Sequence, residues 1–189
     1  ISLLLEGKNI ALVTDAGTPG ISDPGEDLVR EAVKAGIRVV PLPGASAAIC
    51  ALVASGLSTD RFAFEGFLPK NAKERDRRLS ELASESRTLV LYEAPHRIIK
   101  TLRALKEALG NRNAAVAREM TKLHEEFVRG TLEELIQRFS EAAPKGEIVI
   151  VLEGVKEDSD FNKREALASD MEFSPEELKL KLETIVKDN

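Results

Sequence analysis

The chain has 189 residues, of which 43% are hydrophobic and 31% charged, and its net charge is −5. This length allows one sizeable hydrophobic core or two small ones. The acidic balance is the opposite of what nonspecific binding to long nucleic acids requires, so any RNA contact must come from a local basic surface. The apolar runs are too short to span a bilayer and none resembles a signal peptide, so we predict a cytoplasmic protein without membrane contact.

The cysteine and histidine content limits the chemistry. Cys50 is the single cysteine, which excludes an internal disulfide and fits a reducing compartment. It lies in an apolar helical segment, so we interpret it as a packing residue rather than a nucleophile. With one cysteine and two widely separated histidines, we predict no metal site of the zinc type. Magnesium binding by carboxylates alone is an open alternative, although the sequence has no dense carboxylate cluster that indicates such a site.

Apolar runs alternate with helical patterns, which predicts an α/β fold with largely parallel strands. Residues 1–7 read as the last turn of a helix that ends at Gly7, and a helix without a beginning leads us to expect upstream sequence. In the first third of the chain we predict strands at residues 10–14 and 37–41, a helix capped by Asp23 and ended by Gly36, and a second helix at residues 47–55.

The same alternation continues after a crossing segment at residues 59–69, which contains a short apolar stretch at residues 62–67. Thr131 is predicted to cap a helix whose apolar residues recur at helical spacing. The other predicted helices span residues 71–84 and 95–109, and the predicted strands span residues 88–92, 114–118 and 147–152. Residues 154–173 are polar and weakly patterned, as in a linker, and Ser174 is a good cap for a further helix.

The loop at residues 15–25, which reads DAGTPGISDPG, is the most informative stretch. Loops at the carboxyl ends of parallel strands line ligand crevices, and glycines allow backbone N–H groups to approach a ligand. Asp15 can accept hydrogen bonds from hydroxyls or pair with an ammonium. The alternative is that glycine and proline only build turns here. The pattern differs from the dinucleotide-binding and P-loop motifs, which disfavours a Rossmann dehydrogenase and a P-loop NTPase.

This loop resembles the corresponding segment of the tetrapyrrole-methylase superfamily, and within it that of the small-subunit rRNA (cytidine-2′-O)-methyltransferases. Further matching stretches follow in order at residues 39–46, 60–69, 88–97, 117–122 and 145–150. The resemblance implies two α/β domains with S-adenosylmethionine bound in the cleft between them. It places residues 1–60 in the first domain, residues 61–153 in the second, and residues 154–189 in a linker and the start of a helical extension. It also implies about 70 further residues upstream, as estimated from the family pattern.

The resemblance implies a set of residues that bind the methyl donor. Small residues pack closely on an adenine, while Asp and Ser suit the polar groups of the donor. Plain helix packing for the residues around Ser46, and a buried strand end for Tyr92, are the alternatives. The predicted donor-binding residues are Asp15, Gly17, Thr18, Ala45, Ser46, Ala47, Leu91, Tyr92, Ala117 and Glu147.

Candidates for chemistry on the acceptor follow from two polar clusters at strand ends. Glu93 and His96 belong to the first cluster, where His96 can bind RNA or relay a proton. Lys122, in the second cluster, is a candidate for removing the proton of a ribose hydroxyl, together with Glu125. The alternatives are a solvated helix start with Glu93 favouring its dipole, and a solvated lysine.

RNA contacts are predicted on a short basic stretch of net charge +3 that follows the crossing segment. A solvated helix face is the alternative. The predicted RNA-binding residues are Lys70, Lys73, Arg75, Arg77, Arg78 and Arg97. The implied partners are 16S rRNA in the small ribosomal subunit and a second copy of the chain in a homodimer. The competing interpretations are a tetrapyrrole or modified-protein methyltransferase on the same fold, and a noncatalytic protein that binds S-adenosylmethionine or ribosomes.

Overall fold

The fold was analysed in a computed structural model, which describes residues 1–141 and 144–155. The chain divides into two units, Ile1–Gly154 and Val155–Asn189. The predicted linker and the helix beginning at Ser174 lie outside the described residues. No helix within the described ranges is long and apolar enough to cross a membrane.

A five-stranded sheet forms the centre of the first unit, with the spatial order β1-β2-β5-β3-β4. Only β1 and β2 pair in parallel, whereas the other three pairs are antiparallel. The prediction of largely parallel strands is therefore wrong, because β5 inserts antiparallel between β2 and β3, and β4 returns from β3 as a hairpin. The strands are β1 Phe62–Phe67, β2 Thr88–Glu93, β3 Asn113–Arg118, β4 Glu126–Thr131 and β5 Ile148–Leu152.

Helices cover both faces of this sheet. The helices are α1 Ser2–Leu5, α2 Glu26–Lys34, α3 Ala47–Ala54, α4 Ala72–Leu82, α5 Ile98–Leu109 and α6 Leu132–Glu141. Buried leucines of α4, α5 and α6 form a large core with Leu89, Leu91 and Ile150 on one face. On the other face Ala48, Ala51 and Leu52 of α3 pack on small and β-branched residues of the sheet. The small side chains bring α3 close to β2 and β5, whose ends border the candidate site.

Local sequence signals set the beginnings of two helices, and one predicted helix cap is wrong. The Asn71 side chain accepts a hydrogen bond from the Glu74 backbone N–H. Thr131 and Glu134 form a reciprocal capping box, with the Thr131 hydroxyl accepting from the Glu134 N–H and the Glu134 carboxylate accepting from the Thr131 N–H. The prediction that Asp23 caps α2 is wrong, since Gly25 is the cap and the Asp23 carboxylate accepts from the Thr14 hydroxyl at 3.2 Å.

The predicted strands at residues 10–14 and 37–41 are also not formed. A strand requires ladder hydrogen bonds to a neighbouring strand, and no such pairing is found for either segment within the described residues. Apolar side chains in both segments are left exposed, as shown by Val13 at 80% and Val40 at 58%. The periodicity identified extended apolar segments, but a strand depends on a partner that a local pattern does not specify.

Arg129, on the strand β4 that the sequence pattern did not predict, fixes the C-terminal end of α3. Its Nε donates to the carbonyl oxygen of Ser55 at 3.1 Å, and its guanidinium group lies 5.3 Å from the centre of the Phe127 ring. A cation at this position satisfies carbonyl groups that the end of a helix leaves free. The end of α3 is thereby joined to β4 on one side of the sheet.

Candidate functional site

A cavity of about 550 Å³ opens where the loop after residue 15 meets the ends of β2, β3 and β5. A volume of this size is typical of small-molecule sites. Its lining combines small residues with a few carboxylates, one lysine and two aromatic rings. The lining residues are Ala16, Gly17, Thr18, Ile21, Ser22, Asp23, Ser46, Ala47, Phe67, Tyr92, Glu93, Ala94, Pro95, Glu119, Lys122, Gly146, Glu147, Ile148 and Val149.

One wall of the cavity is built from two loops that hold each other in place. The Thr18 hydroxyl donates a hydrogen bond to the carbonyl oxygen of Ala45 at 3.0 Å. Gly17 has φ +76°, and a side chain there would lie 3.6 Å from the same carbonyl oxygen. The distance is an ordinary van der Waals contact, so glycine is favoured at position 17 by the left-handed backbone and not by a lack of space. The wall presents backbone and small side chains to the cavity.

Tyr92 connects this wall to the sheet. Its ring lies edge-on to Phe64 and Phe67, with centroid distances of 5.0 and 5.7 Å. Its hydroxyl accepts a hydrogen bond from the Ala48 backbone N–H in the first turn of α3. Burial raises the pKa of Tyr92 above its usual value, which keeps the hydroxyl protonated at neutral pH.

A second wall contains Glu119, Lys122 and Glu147. The Lys122 ammonium group lies 3.1 Å from the Glu119 carboxylate and 3.7 Å from that of Glu147. The hydrogen bond from Lys122 lowers the pKa of Glu119, and the same hydrogen bond raises the pKa of Lys122. Lys122 is therefore held as a cation between two carboxylates, an arrangement that disfavours loss of its proton.

The third wall is the junction between β2 and α5, where Glu93 is fully buried. Its carboxylate accepts hydrogen bonds from the Thr101 hydroxyl and from the Ala94 backbone N–H, and lies 3.5 Å from Arg97 Nε. Arg97 in turn donates to the carbonyl oxygen of Leu68 at 3.1 Å. Glu93 thus fixes the start of α5 and, through Arg97, the chain after β1.

The structure brings eight of the predicted donor-site and catalytic residues to this cavity. They are Gly17, Thr18, Ser46, Ala47, Tyr92, Glu93, Lys122 and Glu147. Asp15 and Ala45 lie next to lining residues in the two loops, and both are exposed. Leu91 and Ala117 are buried in the sheet, while His96 is exposed at the start of α5. Leu91, Ala117 and His96 do not line the cavity.

Several lining residues escaped the sequence analysis. Phe67 and Glu119 were not proposed for the site, although Phe67 ends β1 and Glu119 is the first residue after β3. Glu119 directly follows Arg118 and has φ +48°, a value that is uncommon for a residue with a side chain. Strand-end position is the signal that could have identified both residues, as it did for Asp15.

The predicted basic helix is largely neutralised by neighbouring acids. Arg78 donates from Nε to Glu65 at 2.8 Å and from Nη1 to Glu81 at 2.8 Å. Arg75 pairs with Asp76 at 3.0 Å, and Arg77 lies 3.8 Å from Glu81. Lys70 and Lys73 are exposed, and no ion pair is found for either among the residues that the structure describes. These two lysines carry most of the free positive charge.

The fold and the cavity belong to a known class. The family model described as Tetrapyrrole (Corrin/Porphyrin) Methylases matches residues 1–136. The chain is therefore a member of the tetrapyrrole methylase family, which confirms the α/β class and the family expected from the sequence.

Three relatives that are about half identical to this chain share one name. The chain is 55% identical over 155 residues to Ribosomal RNA small subunit methyltransferase I of Synechocystis, covering 82% of this chain and 56% of the relative. It is 52% identical over 151 residues to the protein of the same name from Halalkalibacterium halodurans, covering 80% and 52%. The Haemophilus influenzae protein of that name is 48% identical over 185 residues, covering 96% and 65%. The chain thus spans about half to two thirds of the length of these relatives.

Solved structures agree on the fold. The methyltransferase CobJ superposes with a TM-score of 0.61 at 20% identity, covering 82% of this chain and 68% of CobJ. Cobalt precorrin-4 methyltransferase superposes with a TM-score of 0.54 at 17% identity, covering 72% and 61%. At these identities the likeness defines the fold and not the substrate.

Proposed function

We propose that this chain contributes the donor site and acceptor-side residues of an S-adenosylmethionine-dependent methyltransferase that acts on the 2′-hydroxyl of a cytidine in small-subunit ribosomal RNA. The observation that carries the proposal is the convergence of both loops, Tyr92 and Glu147 on one cavity of about 550 Å³. Relatives at about half identity bear the name of an rRNA methyltransferase, which favours this substrate over a tetrapyrrole.

The lining is chemically suited to the donor. Ala16, Gly17 and Ala47 present small surfaces on which a flat adenine can pack. The hydroxyls of Thr18 and Ser46 suit the hydroxyls of a ribose, and the carboxylate of Glu147 suits an ammonium group. Asp15 and Ala45 complete the donor set as neighbours of these residues, and Leu91 and Ala117 support it from within the sheet.

The methyl group of S-adenosylmethionine is carried on a sulfonium, so the donor brings its own leaving group and the protein must align the acceptor and remove its proton. Lys122 is paired with two carboxylates and acts as a cation that positions the acceptor or an RNA phosphate. Since Lys122 holds its proton, it is not assigned as the base that accepts the proton of the ribose hydroxyl. Glu93 is a positioning residue, because its carboxylate is committed to Thr101, Ala94 and Arg97.

We place the protein in the cytoplasm and propose that it functions as a homodimer, with assembled small subunits as the preferred acceptor, because an acidic chain lacks a general affinity for RNA. His96 and the lysines at positions 70 and 73 are the exposed residues we assign to RNA contact. The test is transfer of a labelled methyl group by the complete gene product to small subunits from a deletion strain. Mass spectrometry should then find one ribose methyl group missing in that strain and restored by the enzyme. Loss of a tetrapyrrole product with all ribose methyl groups retained would refute the proposal.

A further inference from the structure

A second cavity, of about 340 Å³, lies beside the donor cavity and is separated from it by Glu119, which lines both. Its lining contains three cationic side chains, from Arg118 at the end of β3, Arg138 on α6 and Lys145 before β5. The remaining lining residues are Glu119, His124, Glu126, Phe139 and Pro144. Arg118 and Lys145 lie in stretches that match the family, but none of the three cations is assigned to the donor site.

Glu126 lies between the two arginines of this cavity and orients Arg118. One carboxylate oxygen pairs with Arg118 Nε, and the other lies 3.7 Å from an Nη of Arg138. The Arg118 side chain is 23% exposed and that of Arg138 is 55% exposed. Glu126 pairs with Arg118 through Nε, so both Nη atoms of Arg118 remain available to a ligand. No hydrogen bond from these Nη atoms is found within the described part of the chain. A planar guanidinium fixed in this way is suited to bind a phosphate with two hydrogen bonds.

The acids of the cavity leave a net positive charge. Glu119 is already paired with Lys122 in the neighbouring cavity, so its charge is offset outside this cluster. Glu126 is shared between Arg118 and Arg138. Lys145 is exposed and has no ion pair among the residues described. An anion placed between the arginines and Lys145 would meet donors from three different elements, which is more than a solvated surface offers.

We propose that this second cavity binds a backbone phosphate of the RNA strand whose ribose enters the donor cavity. The inference rests on the proposed function, since it takes RNA as the substrate. The two cavities are adjacent because they share Glu119 as a wall. A ribose and a nearby phosphate of the same RNA strand must also lie close to each other, so the two cavities can receive them together. Phosphate contacts of this kind set the register of a nucleic acid without reading its sequence. Arg118 and Arg138 are thus binding residues that help decide which ribose reaches the methyl donor.

The test uses the complete gene product with the paired substitutions Arg118→Gln and Arg138→Gln. Binding to unmethylated small ribosomal subunits is measured by filter binding at several salt concentrations, and S-adenosylhomocysteine binding is measured by calorimetry. We expect subunit affinity to fall roughly tenfold with donor affinity unchanged. The slope of log affinity against log salt should become shallower by about 0.7, the contribution of one single-stranded phosphate contact.

The matched control is Lys100→Gln with Arg103→Gln, which removes the same charge from α5. Equal loss of subunit affinity in the control would reduce the effect to net charge and overturn the inference. Unchanged subunit binding in the arginine variant would overturn it while leaving the proposed function intact. A fall in donor affinity alone would assign the cavity to the donor and also overturn it.

Two further measurements keep the test decisive. If the Arg118 substitution prevents folding, Arg138→Gln with Lys145→Gln replaces it, because both side chains are exposed. The same loss of subunit affinity is then expected. If the unaltered protein neither methylates subunits nor binds them, the proposed function fails and the phosphate site fails with it. A different result is that the unaltered protein methylates subunits while the Arg118/Arg138 and Arg138/Lys145 variants both keep full subunit affinity. That result refutes the phosphate site alone.

Discussion

The hydroxyl of Tyr92 accepts a hydrogen bond from the backbone N–H of Ala48 at 3.3 Å, across 44 positions of sequence. Ser46 occupies the N-cap position of α3, but its side chain makes no cap hydrogen bond. The hydroxyl of Tyr92 therefore satisfies one of the N–H groups that the start of a helix leaves free. β2 thus fixes the start of α3, where Ser46 and Ala47 line the donor cavity.

Tyr92→Phe should destabilise the protein by about 1 kcal/mol, because the buried Ala48 N–H loses its partner while the ring contacts with Phe64 and Phe67 remain. Urea unfolding followed by circular dichroism measures the change. Ser46→Ala should cost less, although sequence rules assign the cap to Ser46. A larger loss for Ser46→Ala would show that Tyr92 does not replace the cap.

Asp15→Ala should weaken binding of S-adenosylhomocysteine, because Asp15 begins the loop whose next three residues line the cavity. Loss of a hydrogen bond to the donor costs about 1–3 kcal/mol, which is roughly a 5- to 150-fold loss of affinity. Calorimetry on the complete gene product provides the measurement. Asp27→Ala, at an exposed position of α2, is the control. Equal affinity of Asp15→Ala and the unaltered protein would remove Asp15 from the donor site.

Gly146→Ala should disrupt the wall formed by Glu119, Lys122 and Glu147. Gly146 has φ +84°, and an added methyl group would overlap the Glu119 carboxylate. Gly110→Ala is a matched control, because Gly110 has φ +85° and no atom lies within 4 Å of the added methyl group. Both variants should lose about 1–2 kcal/mol of stability through backbone strain. Only Gly146→Ala should also lower donor affinity and methyl transfer, and equal activity of the two variants would contradict this assignment.

Arg78→Ala should destabilise the protein by about 2 kcal/mol, because the Glu65 side chain is only 6% exposed and loses its charged partner. Arg77→Ala, whose side chain is 78% exposed and lies 3.8 Å from Glu81, should change stability by less than about 0.5 kcal/mol. Thermal unfolding distinguishes the two. Charge reversal at Arg75 and Arg78 would therefore test folding as well as RNA binding. Lys70→Gln with Lys73→Gln tests RNA binding by this helix without that complication.

Acid should destabilise the turn between α4 and β2. Side-chain and backbone hydrogen bonds from Arg87 lower the pKa of Glu85 to about 2. A carboxyl group whose pKa is lower in the folded than in the unfolded state stabilises the fold above its unfolded value, and this contribution is lost as the pH falls from 4.5 towards 2. Glu85→Gln should flatten the dependence of unfolding free energy on pH in this range. An unchanged pH profile would show that the Glu85–Arg87 pair contributes nothing.

The sequence by itself determined the elements whose signals are local. Thr131 begins α6 as its cap pattern predicts, α4 begins within one residue of its predicted start, and the buried strand β2 follows from its continuous apolar run. The family could also be predicted from the sequence, because several motifs occur in the expected order along the chain. Such an ordered set is more specific than a single periodic pattern. The cavity-facing positions of Gly17, Ser46 and Tyr92 follow from those motifs.

Tertiary structure alone decided what depends on partners distant in sequence. The antiparallel insertion of β5 between β2 and β3 cannot be derived from alternation, since periodicity fixes which residues face the core and not which strands pair. The same reason explains the unpaired segments at residues 10–14 and 37–41. Burial and ion pairing likewise reassigned charged residues, committing Glu93 to Thr101 and Arg78 to Glu65. A charged residue in the sequence is available to bind a partner only if folding does not pair it with a residue of opposite charge.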